Sequence, residues 1–393
     1  MTTIKRGLKR RRKPWTKKVP AMSVEPRYAL NAICPYFTMF PLEYPMRVLS
    51  PTRLRRFRRP IVYDPYCGRG TTIFAARLRG LRAFGSDIEP VAVAIAQAKL
   101  ADTTSEQVLS LYDGLVSDDR SYEVPEGLFW QWAYSEDVLN TISKVRVRLW
   151  ACRTNAASIL RAVMLGGLHG PRAKTLEGAS YFSNQMPRTF ASKPEYSVNY
   201  WKDRRLRAPN VDVRAIVKKR VERVLQSQLP LAKTTPVDIR CSDSRTAAAF
   251  ERLHGKITHV VTSPPYYGLR TYAQDQWLRG WFLGRNPMVD YKSDPGLDHG
   301  SPELFAKSLA KVWNQIGQRA ADHMEMYVRF GAISSRHASP DEILRESLTH
   351  SGHEWFIQTR HNARSATEGK RQAIQMSATV GSIEESDYSI RLR

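Results

Sequence analysis

Ser263, Pro264, Pro265 and Tyr266 are the residues whose types and order most constrain the chemistry of this chain. They follow a run of β-branched residues that predicts a buried strand, so the strand ends abruptly in a stiff loop. Proline fixes φ and has no N–H, which leaves the carbonyl groups of Ser263 and Pro264 free to accept hydrogen bonds. Two acceptors beside an aromatic ring suit an exocyclic amine of a nucleobase. A plain proline turn is the alternative.

Other polar and glycine residues come at or just after the ends of predicted strands. The predicted strands cover residues 61–64, 82–87, 237–243 and 257–262. The strand-end residues are Asp64, Gly68, Gly70, Asp87, Asp243 and Ser263. Because ligands of open α/β sheets bind beyond the carboxyl ends of the strands, we expect these residues to face one crevice.

The residues of this crevice indicate the kind of ligand. Gly68 and Gly70 let backbone approach a ligand, but they form neither a GxGxxG fingerprint nor a Walker lysine loop, which argues against a pyrophosphate. Asp87 suits a ribose diol and Asp243 suits the exocyclic amine of adenine. A nucleoside with a charged, non-phosphate tail fits, which describes S-adenosylmethionine. Each acid taken alone is also typical of a helix cap or a turn.

The elements that position these residues predict an α/β fold. A strand, a glycine-rich loop, a helix over residues 73–79, a second strand and a helix over 90–100 form the first half of a doubly wound, Rossmann-like parallel sheet. Residues 101–235 break this rhythm and predict a largely helical insertion, in which 214–225 forms an exposed basic helix. The alternation then resumes with a helix over 303–318, a strand over 326–333 and edge strands over 353–358 and 388–392.

These patterns predict four regions. They are a basic, flexible arm over residues 1–25, a cofactor-binding half over 26–100, the helical insertion over 101–235, and a catalytic half over 236–393.

The composition favours a polyanionic partner. The 393 residues carry a formal net charge of +24, and so large an excess of cations is typical of proteins that bind nucleic acid. The four cysteines form no CxxC pair, which argues against a zinc site or a disulfide framework and fits a reducing cytoplasm. No apolar run is long enough to span a bilayer, and no apolar segment of a signal peptide follows the charged N-terminus.

Together the motifs resemble those of the amino-methyltransferases of DNA, which methylate N4 of cytosine or N6 of adenine. Residues 64–72, DPYCGRGTT, look like the DPFCGSGTT cofactor loop of that family, with Tyr66 for Phe and Arg69 for Ser. Residues 85–90, GSDIEP, resemble its GIDIxP ribose-binding turn, and residues 262–267, TSPPYY, resemble its TSPPY catalytic motif. Residues 35–41 look like the segment that closes over the methionine end of the cofactor.

The resemblance implies S-adenosylmethionine as cofactor, double-stranded DNA as partner, and no metal. It implies that a cognate restriction endonuclease is a candidate partner and that the protein is cytoplasmic, associated with the nucleoid of a prokaryote or phage. The cofactor-binding residues carried over are Tyr36, Thr38, Phe40, Asp64, Cys67, Gly68, Gly70, Thr71, Asp87, Ile88 and Asp243. The catalytic residues are Ser263, Pro264, Pro265 and Tyr266.

Two features depart from the common pattern. The cofactor loop precedes the catalytic motif, whereas many cytosine-N4 enzymes have the reverse order, and a long insertion separates the ribose turn from Asp243. The insertion and the C-terminal region are both candidates for target recognition.

The resemblance implies direct methyl transfer to a flipped-out base, and Ser263 favours cytosine N4 because adenine-N6 relatives more often have Asp or Asn there. The alternatives are adenine-N6 methylation of DNA, an RNA amino-methyltransferase, and a catalytically silent nucleic-acid-binding protein.

Overall fold

The computed structural model of the 393-residue chain describes most of it. The described residues are 26–36, 41–117, 120–226, 237–268, 273–291, 296–333, 339–363 and 383–393. The predicted basic arm over residues 1–25, Thr38 and Phe40 lie outside this part of the chain.

The described residues form a seven-stranded sheet with the order β3-β2-β1-β4-β5-β7-β6. The strands are β1 (Ile61–Asp64), β2 (Arg82–Asp87), β3 (Val237–Cys241), β4 (Ile257–Thr262), β5 (Ala320–Ile333), β6 (Trp355–Asn362) and β7 (Ile383–Leu392). β1 to β5 pair in parallel, and β7 is antiparallel to both of its neighbours, β5 and β6. This order reverses direction between β1 and β4, as in doubly wound sheets, so the predicted α/β fold is confirmed.

The helices lie on both faces of the sheet. They are α1 (Glu43–Val48), α2 (Pro51–Leu54), α3 (Thr71–Leu78), α4 (Pro90–Ala98), α5 (Ser105–Val116), α6 (Leu128–Ala133), α7 (Glu136–Leu149), α8 (Asn155–Gly167), α9 (Pro194–Asp203), α10 (Val213–Leu225), α11 (Trp277–Phe282), α12 (Pro302–Gly317) and α13 (Pro340–Thr349). Short 3-10 helices cover Pro26–Ala32, Ala247–Phe250 and Ala273–Gln276. In the described part of the chain, no helix is both long enough and apolar enough to cross a bilayer.

Two apolar clusters fill the space on either side of the sheet. Val62 of β1 belongs to the cluster formed with α3, α4 and the helical insertion, whereas its neighbours Ile61 and Tyr63 belong to the cluster formed with α12 and α13. This alternation follows from the two-residue period of a strand. All six residues of β4 are buried, which is typical of a central strand covered on both faces.

The insertion is helical as predicted, since α5 to α10 lie between β2 and β3, and α8 packs on α4. The prediction of an exposed basic helix holds for only one face of α10. On the other face Arg220 is buried, and its guanidinium donates to the carbonyl oxygen of Ser180 at 2.8 and 2.6 Å.

The prediction of two C-terminal edge strands is correct for β6 and wrong for β7. β7 lies between β5 and β6, because it pairs with residues 325–333 of β5 on one side and with β6 on the other. β5 itself is longer than predicted and runs from Ala320 to Ile333.

Candidate functional site

The loops after β1, β2, β3 and β4 meet at one edge of the sheet. The N–H of Cys67 donates to the carbonyl of Ser86 at 3.0 Å, and the N–H of Ser242 donates to the carbonyl of Asp87 at 3.0 Å. Thr72, in the first turn of α3, donates from its hydroxyl to the carbonyl of Val261 at 2.9 Å. These bonds bring the loops that carry Asp64, Gly68, Asp87 and Asp243 beside the strand that leads into Ser263.

Asp87 joins the loop after β1 to the end of β2. One carboxylate oxygen accepts the N–H of Gly68 at 2.9 Å, and the other accepts the N–H of Glu89 at 2.9 Å. Burial raises the pKa of Asp87, although these N–H groups oppose the rise. A carboxylate oxygen can accept more than one hydrogen bond, so Asp87 retains acceptor capacity for a diol.

The two loop glycines are required for different reasons. Gly68 has φ +48°, and a Cβ at this position would meet only open space, with its nearest neighbour 4.0 Å away. Gly70 has φ +76°, and a Cβ there would lie 2.7 Å from the Cβ of Ala96 in α4. Gly68 therefore leaves room for a ligand, whereas Gly70 serves the close packing of α3 on α4.

Asp64 ends β1 as a buried carboxyl group. Its side chain is 1% exposed, and one oxygen accepts the N–H of Tyr66 at 3.2 Å. Burial raises the pKa of Asp64 to about 7, against the opposing effect of the hydroxyl groups of Thr262 and Thr72. A carboxyl group of this kind is costly to ionise until a cation comes close.

Asp243 is half-buried and paired with Arg245 in the same turn. The guanidinium contacts both carboxylate oxygens, at 3.0 Å from Nε to one and 2.7 Å from Nη2 to the other. Burial raises the pKa of Asp243, but the hydrogen bonds from Arg245 outweigh it and hold the pKa below its usual value. A ligand amine at Asp243 would therefore share the carboxylate with Arg245.

A chain of hydroxyl groups holds the Asp243 loop against the loop after β1. Tyr63 and Ser86 share a hydrogen bond of 2.7 Å, and Ser86 and Ser244 share one of 2.6 Å. Ser244 also lies 2.7 Å from the carbonyl of Pro65, to which its hydroxyl donates. The sequence reasoning missed this chain, because nothing local links serines 158 residues apart.

The predicted catalytic motif, residues 263–266, follows β4 and is held from β5 and β7. Pro264 is buried, whereas Ser263, Pro265 and Tyr266 are half-buried. The Tyr266 hydroxyl donates to the Glu385 carboxylate of β7 at 3.0 Å, and its ring packs edge-on against Phe330 of β5, with centroids 6.1 Å apart.

The end of the motif is anchored by a histidine that the sequence reasoning also missed. The N–H of Gly268 donates to Nδ1 of His299 at 3.2 Å, and the ring of Tyr267 stacks on the same histidine. Gly268 has φ +82°, which favours glycine at this turn.

The remaining predicted residues within the described part of the chain lie at or near the same edge. The pKa of Tyr36 is raised by burial and by the carboxylates of Glu89 and Asp87, which places Tyr36 close to the end of β2. Cys67 and Thr71 are buried, and Thr71 Oγ1 has no hydrogen-bond partner among the described residues. Ile88 is 36% exposed beside Asp87.

Two further groups belong to this edge. Glu89 pairs with Arg285 at 3.2 Å, and the Tyr66 hydroxyl is buried with no hydrogen-bond partner among the described residues. Glu89 stands two residues after Asp87, so its position in the turn was a signal that could have identified it.

No family model matches the chain. No curated protein matches it in sequence. Solved structures to which it is similar include the rRNA methyltransferase aviRa from Streptomyces viridochromogenes, at 13% identity over 95% of this chain and 94% of that one, with a TM-score of 0.35. TrmN from Thermus thermophilus is 7% identical over 90% of this chain and 48% of that one, with a TM-score of 0.33.

CrArsM, an arsenic(III) S-adenosylmethionine methyltransferase from Chlamydomonas reinhardtii, is 8% identical over 90% of this chain and 74% of that one, with a TM-score of 0.30. The aviRa and CrArsM proteins are described as methyltransferases. Structural similarity at this level says nothing about individual residues of the site. The fold assignment rests on the strand order of the sheet.

Proposed function

We propose that this chain is an S-adenosylmethionine-dependent DNA methyltransferase that methylates the exocyclic N4 amine of a flipped-out cytosine. The observation that carries the proposal is the shared edge of the sheet. This edge carries the loop of Asp64 and Gly68, the carboxylate of Asp87, and the motif from Ser263 to Tyr266. Adenine N6 is the alternative acceptor, since both amines present two N–H donors.

The residues present fit the cofactor. Space at Gly68 would admit a ligand, and the unpartnered Thr71 hydroxyl and the remaining acceptor capacity of Asp87 are polar groups that a nucleoside with an amino-acid tail can satisfy. When bound, S-adenosylmethionine would supply an electrophilic methyl group on a cationic sulfur. Tyr36, Cys67, Gly70 and Ile88 stay predicted cofactor-binding residues, as do Thr38 and Phe40 outside the described residues.

Three acidic residues would bind different parts of the cofactor. Asp87 would accept hydrogen bonds from the ribose hydroxyls, and Asp243 would accept from the adenine amine while still held by Arg245. Asp64 would supply negative charge to the cationic end of the ligand, because its carboxyl group is buried at the end of β1.

The motif would hold the acceptor base. Tyr266, fixed by Glu385 and Phe330, would stack on the extruded ring. The hydroxyl of Ser263 and the carbonyl of Pro264 would accept the amine's hydrogens and aim the nitrogen lone pair at the methyl group. Rate enhancement would then come from positioning and from acceptors placed where positive charge develops, with the proton lost to water.

Histidine is not needed as a base in this scheme. His259, the closest histidine in sequence before the motif, is fully buried in β4, and burial lowers its pKa to about 4. Its Nδ1 lies 2.9 Å from the hydroxyl of Thr258, which fits a structural role.

Double-stranded DNA is the proposed partner because of the net charge of +24. Target recognition would fall to the helical insertion or to the C-terminal region. A cognate restriction endonuclease stays a candidate partner.

The test is methyl transfer from labelled S-adenosylmethionine to duplex DNA and to total RNA, followed by nucleoside analysis of the product. We expect N4-methylcytosine in DNA, and loss of the product in Pro265→Ala with cofactor binding retained. Label in RNA alone would favour the RNA enzyme, and N6-methyladenine the adenine enzyme. Failure of the purified protein to bind the cofactor would favour a silent binding protein.

A further inference from the structure

One face of helix α9 and its C-terminal cap carry two stacked tyrosines and an arginine, of which Tyr196 and Arg204 are exposed and Tyr200 is half-buried. Tyr196, Tyr200 and Arg204 follow one another at a spacing of four residues, and we refer to them as the α9 ladder. The two tyrosine rings are stacked, with centroids 6.3 Å apart and an interplanar angle of 28°. The Arg204 guanidinium carbon lies 4.0 Å from the centroid of Tyr200. Tyr196 is 64% exposed.

The surface around the ladder is basic and contains further aromatic rings. Lys193, one turn before Tyr196, has its ammonium 5.4 Å from the ring centroid of Tyr291, which is 58% exposed. Beyond Arg204, the guanidinium of Arg207 lies 4.6 Å from the ring centroid of Trp132. Cations interleaved with aromatic faces are typical of surfaces that bind unpaired nucleotides.

The ladder adjoins the loop that follows the catalytic motif. The N–H of Ala191 donates to the carbonyl of Asp275 at 2.9 Å, and the indole of Trp277 donates to the carbonyl of Ser192 at 3.3 Å. The segment that enters α9 is therefore bonded to the 3-10 helix Ala273–Gln276 and to α11, which follow Tyr266 in the chain.

Stabilisation of the helix does not account for the exposed ring of Tyr196. The opposite face of α9 already buries Ser197, Val198 and Trp201, and the indole of Trp201 donates to the carbonyl of Gln185 at 2.7 Å. Because this face anchors α9, the exposed ring of Tyr196 is open to a ligand, and the half-buried Tyr200, which packs partly against the core, supports it from below.

We propose that the α9 ladder stacks on unpaired bases of the nucleic-acid strand next to the target nucleotide, while the neighbouring cations contact its phosphates. The proposal rests on the proposed function, because extrusion of a target base unstacks its neighbours. Unpaired bases of DNA and RNA present the same π faces, so the chemistry is shared and the experiment separates the two sources.

The experiment measures binding of fluorescein-labelled 20-nucleotide strands to the full chain without cofactor. The three probes are single-stranded DNA, single-stranded RNA and the duplex DNA of the same sequence. For Tyr196→Ala combined with Tyr200→Ala we expect the Kd for the tighter-binding single strand to rise tenfold or more, in line with the usual loss of base stacking. The Phe/Phe pair at these positions should restore binding, since it keeps both rings.

Salt dependence separates stacking from phosphate contact. The alanine pair should leave the slope of log Kd against log salt unchanged. Arg204→Ala should reduce that slope by about 0.7 if it contacts one phosphate of a single strand.

A matched control lies on the distant edge strand. Phe356 of β6 is 51% exposed, with the guanidinium carbon of Arg393 5.5 Å from its centroid, so Phe356→Ala removes a comparable aromatic–cation pair. We expect unchanged binding in this variant.

The proposal is overturned if the alanine pair binds single strands within twofold of the wild type. It is also overturned if Phe356→Ala loses as much affinity, or if duplex affinity falls as far as single-strand affinity. Tyr196→Ala alone, at the more exposed position, decides the matter if the double variant is unstable. The two failures are distinguishable, because this experiment contains no cofactor. A wild type that binds single strands through the ladder but transfers no methyl group would remove the proposed function and the link to a target nucleotide, and would leave only the binding of unpaired bases.

Discussion

Cofactor affinity should depend on pH through Asp64. The carboxyl group is 1% exposed, and burial raises its pKa to about 7 in the ligand-free protein. A bound ligand with a cationic sulfur and an α-ammonium group would favour the ionised form and lower this pKa. Binding would then release a proton, so affinity for S-adenosylmethionine should rise with pH and level off above pH 7.

The expected size follows from the ionised fraction of Asp64. With a pKa of about 7, roughly 0.9 of the carboxyl groups are ionised at pH 8 and roughly 0.1 at pH 6. If the ligand binds only the ionised form, its Kd should be about tenfold higher at pH 6 than at pH 8, which corresponds to about 1.4 kcal/mol.

Isothermal titration calorimetry at pH 6, 7 and 8 measures this dependence, and buffers of different ionisation enthalpy measure the released proton. Asp64→Asn is the matched control, because it keeps the size of the side chain and removes the titration. Its affinity should be flat across this range and weaker than that of the wild type even at pH 6, because Asn never ionises. A wild-type Kd that does not change with pH would refute the role of Asp64. The same pH dependence in Asp64→Asn would refute it too, and would point to Asp87, whose pKa is also raised by burial.

Substitutions at Tyr266, Asp87 and the two loop glycines test individual contacts. Tyr266→Ala should lower kcat/KM for methyl transfer by roughly 10- to 100-fold, because base stacking is lost. Tyr266→Phe keeps the ring, so its kcat/KM should stay within a few-fold of the wild type. Equal losses of kcat/KM in the two variants, measured in steady-state assays, would exclude stacking. Asp87→Asn should raise the cofactor Kd about tenfold with nucleic-acid affinity unchanged, as measured by calorimetry and by fluorescence anisotropy. Gly70→Ala should lower the free energy of unfolding by about 2–4 kcal/mol, because its Cβ would meet Ala96, whereas Gly68→Ala should cost about 1 kcal/mol and mainly weaken cofactor binding. Urea unfolding separates these two, and similar unfolding losses would contradict the division of roles.

Local sequence was sufficient wherever a strand ends in a distinctive turn. β1 and β2 have the predicted bounds, because each is a short buried run bounded by polar or glycine residues. The pairing of Asp243 with Arg245 was also within reach of the sequence, since the two residues share one turn. The different roles of Gly68 and Gly70 could not be predicted from the sequence, because the packing of Gly70 depends on Ala96, which lies in a helix beyond the next strand.

The contacts that fix Tyr266 were beyond sequence reasoning. Its hydroxyl partner, Glu385, is 119 residues away on β7, and no short-range pattern links the two. β7 was predicted at the edge of the sheet, where it could not have reached the loop after β4.

The reversed strand β7 gives this loop its support. Because β7 pairs with β5 on one side, Glu385 stands opposite Gly331, one residue from the Phe330 whose ring packs against Tyr266. Burial and the Glu385 carboxylate both raise the pKa of Tyr266, so the phenol stays protonated and keeps donating to Glu385. A tyrosine held in this way at two points can present a fixed ring face to a base, which a proline turn alone would not provide.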